Sequence, residues 1–100
     1  MQRPTVPSGL TVGGVVAIAR RLAARDVGRM TDALLAGGIG AFELTLNEPE
    51  DASLAAIEAA AAYAATTGGS MAIGAGTVLS EDAARRAVDA GAVFLVAPHL

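Results

Sequence analysis

Four short apolar runs separated by helix-forming segments constrain this 100-residue chain more than any other feature. The runs are VVAIA (15–19), AFELTL (41–46), SMAIGAG (70–76) and VFLVAP (93–98). They are continuous rather than alternating in polarity, which is the pattern of parallel strands covered on both faces. After the first run, Asp26 is the expected N-cap of a helix with Val27, Met30, Leu34 and Gly37 on one face and a Gly-Gly stop. After the second, NEPED leads into SLAAIEAAAAYAATTGG, an alanine-dense helix with Pro49 near its start and Gly68-Gly69 past its end. After the third, Ser80 is the expected N-cap of a helix that carries Glu81 and Asp82 in its first turn and stops at Gly91.

The order is β-α-β-α-β-α-β, and strands alternating with helices at this spacing imply right-handed βαβ units. The glycines that close the helices read as C-caps rather than phosphate-binding loops. Two α/β architectures accommodate four parallel strands: a small open doubly wound sheet, or the first half of a TIM (β/α)8 barrel, which needs about 250 residues when complete. The sequence runs out directly after a strand, and an open sheet more often finishes with a covering helix, so the half-barrel is expected. Residues 1–14, rich in Pro, Gly, Ser and Thr, read as an irregular N-terminal tail, and 15–100 as an incomplete half-barrel domain.

Composition narrows the chemistry. With 53% hydrophobic and 17% charged residues the chain is core-forming, not disordered. A net charge of −3 offers no basic patch, which argues against a nucleic-acid partner. There is no cysteine, hence neither disulfide nor thiolate chemistry. The 7 basic residues are all arginine, so the only amine is the N-terminus. No apolar stretch is long enough for a signal peptide or a membrane span, and a soluble, cytoplasmic protein is the expectation. No residues stand at metal-ligand spacing, and no cofactor is implied.

Three polar features fall at the carboxyl ends of the expected strands, where barrel enzymes place their chemistry. Glu43, Thr45 and Asn47 share one side of the second strand, the interior side if the sheet is part of a barrel. GAGTV (74–78) sets a hydroxyl, Thr77, just beyond the third strand. VAPHL (96–100) brings Pro98 and the only histidine, His99, after the fourth. Arg20 ends the first strand, where a guanidinium is well placed to hold a carboxylate or phosphate. Plainer readings stand beside these: Glu43 as a structural carboxylate satisfied by Arg20 or backbone amides, Thr77 as a turn residue, Arg85-Arg86 as a solvated helix face. His99 has no ligand partner in reach.

Together, VVAIAR, LLAGGIGAFELTLNEPE and IGAGTVLSEDAARRAVDAGAVFLVAP resemble successive segments of the 2-keto-3-deoxy-6-phosphogluconate aldolase family. That family includes the 4-hydroxy-2-oxoglutarate and 2-keto-3-deoxy-6-phosphogalactonate aldolases. The resemblance covers residues 15–100 and implies the N-terminal half of a class I aldolase on a TIM barrel. The parent enzyme would cleave a 2-keto-3-deoxy-6-phospho-sugar acid to pyruvate and glyceraldehyde 3-phosphate, through a Schiff base on a lysine of the sixth strand. The resemblance makes Glu43 the general acid/base, gives Thr77 a share in binding the keto-acid carboxylate, and has Pro98 line the pocket. Phosphogluconate-type members usually carry arginine where Asn47 stands. Asn47 with Arg20 looks more like the phosphogalactonate branch, and shifts carboxylate binding towards Arg20.

The resemblance further implies a homo-oligomer, a trimer in the family, and a partner in the missing C-terminal half-barrel that carries the lysine and the phosphate loops. The chain alone is expected to lack Schiff-base activity. Two other readings stay open: a non-enzymatic half-barrel that pairs through its open sheet edges, and another phosphate-binding barrel of the epimerase or thiamine-phosphate synthase type.

Overall fold

The computed structural model describes residues 14–98. Of the expected tail, only Gly14 falls within them, and His99 lies outside. Strand β1 (Ala17–Ala19) leads through a 3-10 turn (Ala24–Asp26) into helix α1 (Val27–Ala36). Then follow β2 (Ala41–Thr45), α2 (Glu50–Thr66), β3 (Ala72–Gly76), α3 (Glu81–Ala90) and β4 (Phe94–Leu95). The expected element order is found throughout.

All pairings are parallel and the strand order is β1-β2-β3-β4. That order decides between the two architectures. A doubly wound sheet reverses direction at a switch point, which sends helices to both faces. An unreversed order with right-handed crossovers keeps every helix on one face. Here α1 packs on α2 and α2 on α3 in sequence. This is the arrangement of the first half of a (β/α)8 barrel.

The core lies between the sheet and these helices. Phe42, Leu44, Ile73 and Ala75 project from the strands towards Ala56, Ile57, Ala60 and Ala64 of α2. Alanines let α2 approach the sheet closely, and Ile57 and Phe42 are among the largest fully buried side chains. Burying a side chain of that size contributes about 2 kcal/mol each.

Two local expectations change. Asp26 does precede α1, but its carboxylate accepts from Arg29 Nη2 at 2.9 Å and caps no amide. The buried stripe of α1 runs through Val27 and Thr31, whereas Met30 faces outward. At about 100° per residue, Met30 and Thr31 lie on opposite sides of the Val27 direction, and the helix docks on the Thr31 side. Ser80 does cap α3, accepting the Ala83 amide at 3.0 Å, and Gly91 closes that helix in the left-handed region at φ 117°.

Candidate active site at the strand ends

One row across the inner face of the sheet reads Ile18, Glu43, Gly74, Phe94, each paired in register with the next. Inward projection follows from strand alternation, because Phe42 and Leu44 on either side of Glu43 turn to the helices. Glu43 is only 7% exposed, while Ile18 beside it is 62% exposed. The side chain is therefore largely covered by its own sheet neighbourhood, while its carboxylate oxygens keep some contact with solvent. Gly74 and Gly76 of β3 provide the room, and Phe94 spreads its ring over Gly74.

Burial pushes the Glu43 carboxyl above its ordinary value of 4.5, and the Arg20 guanidinium pulls it partly back. Among the described residues no side chain makes a hydrogen bond or ion pair with the Glu43 carboxylate. Arg20 stays exposed just past β1 and acts on Glu43 through space. An unpaired, partly desolvated carboxylate with a raised pKa holds its proton to higher pH than an ordinary glutamate and can give it up again.

The end of β2 is a fastened turn. The Thr45 hydroxyl is buried and bonds to the Asn47 side chain, with Ala19 O a second acceptor at 3.4 Å. The Asn47 amide donates to Ser53 Oγ at 2.9 Å, and that hydroxyl donates back to the Asn47 carbonyl at 3.0 Å. Ser53 is not among the residues the sequence singles out; its signal is a hydroxyl in the first turns of a helix, six residues after an asparagine at a strand end. The Glu48–Pro49 peptide in this turn is cis.

Thr77 sits directly after β3 at φ 55°, a left-handed conformation that a β-branched residue rarely adopts. Its flanks are held: the Leu46 amide donates to the Gly76 carbonyl at 2.9 Å and the Val78 amide to the Val96 carbonyl at 3.1 Å. Arg21, at φ 56°, is the corresponding residue beyond β1. Non-glycine residues held in this region gather at functional sites.

A cavity of about 420 Å³ opens beside the end of β2, with Arg21, Leu22, Thr45, Asn47, Pro49 and Ser53 in its wall. Glu43, Arg20, Thr77 and Pro98 are not in its lining. The structure thus brings Arg20, Thr45 and Asn47 to the ends of β1 and β2, with Thr77 on the same rim, and sets Glu43 one layer below them in the middle of β2. Pro98 lies exposed beyond β4. Among the described residues no group of three or more His, Cys, Asp or Glu could hold a metal ion.

A half-set of parallel strands with helices on one face, and a desolvated carboxylate with polar groups at the strands' carboxyl ends, define a protein of the α/β-barrel class. The family model for KDPG and KHG aldolase matches residues 6–100, and the chain belongs to that family. A 2-keto-3-deoxy-6-phospho-gluconate aldolase from Zymomonas mobilis ATCC 29191 superposes with TM-score 0.78 at 30% identity, over 93% of this chain and 42% of that one. A KDPG aldolase from Legionella pneumophila, solved with pyruvate captured as a covalent carbinolamine intermediate, gives TM-score 0.77 at 30% identity, over 96% and 44%. A native KDPGal structure gives 0.68 at 26% identity, over 100% and 43%. No curated protein sequence matches the chain closely enough to count as a relative. The chain spans less than half the length of the solved structures it matches.

Proposed function

We propose that this chain is the acid/base half of a class I aldolase, whose barrel is completed by a C-terminal half that carries the Schiff-base lysine. The observation that carries the reading is Glu43: buried, unpaired and shifted upward, on the inner face one layer below the strand ends. In that position it moves protons to and from a bound keto acid, directly or through one water. Arg20 and Asn47 hold the substrate's anionic end, and Thr77, with the amides around its strained turn, takes part in carboxylate binding. Pro98 closes the rim once β4 is flanked by a fifth strand.

The substrate is a 2-keto-3-deoxy-6-phospho-sugar acid, and the products are pyruvate and glyceraldehyde 3-phosphate. The pyruvate adduct in the Legionella protein supports the keto-acid assignment. Asn47 and Arg20 favour the phosphogalactonate configuration on residue chemistry, although whole-chain identity to the KDPGal structure is lower than to the two KDPG aldolases. The sequence contains no lysine, so the 15–100 half-barrel alone forms no Schiff base with pyruvate except at its N-terminal amine. The completed enzyme is a cytoplasmic homo-oligomer, a trimer as the family tends to be. No described helix is long and apolar enough to cross a membrane.

A second reading rests on a separate observation. Ile18 on β1, and Val93, Leu95 and Val96 around β4, are large apolar side chains left open to solvent at the two sheet edges. Two copies pairing β1 to β4 would cover them and make a non-catalytic assembly.

Mixing the chain with the C-terminal half of a family aldolase tests the primary reading. Aldol cleavage should appear only in the mixture, and borohydride should trap pyruvate on the partner half. A pyruvate adduct on this chain alone, away from its N-terminal amine, would overturn it. A stable homodimer that refuses the second half would favour the other reading.

A further inference from the structure

The two glycines of GAGTV share the inner face of β3, and neither lies in the left-handed region, so backbone conformation does not require them. Space does. A Cβ at Gly76 would overlap Oε2 of Glu43 and stand 2.5 Å from its Cδ and 2.9 Å from its Cγ. All three nearest atoms belong to that one side chain. A Cβ at Gly74 would instead overlap the ring of Phe94. Each missing side chain is thus a seat for a different neighbour: one for the carboxylate from β2, the other for the ring from β4.

We propose that Gly76 is a positioning residue, whose bare Cα forms the seat that holds the Glu43 carboxylate flat against the inner face. The value of the position to catalysis rests on the acid/base reading of Glu43 given above. With a methyl group at 76 the backbone of β3 need not move, because the obstructing atoms are the far end of a flexible side chain. Glu43 swings off the sheet into solvent instead. Its desolvation falls, and so does the reason for its upward shift. Gly74, with Phe94 as a wall beside Glu43, is the neighbouring seat and serves as the control.

The test is a double-mutant cycle on the chain itself, read by thermal unfolding, together with a carbon-13 titration of the Glu43 carboxyl. At pH 4, where the seated carboxyl is protonated and favours the fold, Gly76→Ala is expected to lower Tm by several degrees in the wild-type background and to cost little in a Glu43→Ala background, where nothing occupies the seat. In Gly76→Ala the Glu43 titration should move down towards 4.5. If Gly76→Ala does not fold, the Glu43→Ala/Gly76→Ala chain should fold. Equal loss of Tm in both backgrounds, an unchanged Glu43 titration, or a double variant as unfolded as the single one would overturn the proposal. None of these readouts depends on aldolase activity, so the seat and the catalytic reading can fail separately.

Discussion

The Tyr63 hydroxyl on α2 lies 2.7 and 2.8 Å from the two carboxylate oxygens of Asp32 on α1 and donates its proton to that carboxylate. The same ring covers Gly28 of α1, where an added Cβ would stand 3.3 Å from its edge. Two helices that share few large apolar side chains are thus joined by one aromatic residue, through its polar tip and its face. The bond to Asp32 raises the Tyr63 hydroxyl above its ordinary 10.0. A raised folded pKa gives a stabilising contribution that is complete below the unfolded value and lost as pH climbs through the folded one. Tyr63→Phe should therefore lower Tm at neutral pH and lose part of the chain's alkaline destabilisation. A Tm–pH curve for the variant that parallels wild type above pH 10 would contradict this.

Glu43 has the same sign with a different consequence. Its carboxyl is raised by burial, so the folded state holds its proton to higher pH than the unfolded state does. The favourable, protonated arrangement is fully present below about 4.5 and is lost as pH rises through the folded value. At pH 7 to 8 the ionised, desolvated group works against the fold. Glu43→Gln should consequently raise Tm near neutral pH, with a difference that vanishes below the ordinary glutamate range. Chemical denaturation at pH 4 and pH 7.5 checks it. A variant less stable than wild type at pH 7.5 would mean that the carboxylate is paired.

Thr31 is fully buried on α1, and its Oγ1 finds no hydrogen-bond partner among the described residues. A buried hydroxyl without a partner costs about 1–3 kcal/mol. Thr31→Val keeps the shape and removes the polar atom, so it should raise unfolding stability by about 1 kcal/mol, measured in urea. A loss of stability on that substitution would show that the hydroxyl is bonded.

How much of this was legible in the residues differs between the fold and the site. The strands follow from apolar runs bounded by glycines, and the helix ends from Ser80 and Gly91, because these signals are local. The face of α1 differs at Met30 because Met30 and Thr31 flank the Val27 direction on opposite sides, hydropathy favours Met30, and only the docking of the helix selects Thr31. Glu43 stood out because a carboxylate among apolar neighbours conflicts with its surroundings. Its seat on Gly76 did not, because the contact joins positions 33 apart through strand register, and register is set by the whole sheet. Ser53 and the two-way bond to Asn47 were hidden for the opposite reason. A serine in the first turns of a helix has many ordinary uses, and only the turn geometry selects this one.

Exchange of the pyruvate methyl protons in heavy water tests the central claim most directly. The chain and its Glu43→Gln variant are each combined with the lysine-bearing half of a family aldolase. Exchange is followed by proton NMR, and bound pyruvate by borohydride trapping after long incubation. With wild type, exchange and trapping should both occur. With Glu43→Gln, trapping should persist on the partner half while exchange falls by about 10²–10⁴-fold, the range of a lost general acid/base. Exchange at the wild-type rate alongside normal trapping would show that Glu43 is not the proton-transfer group.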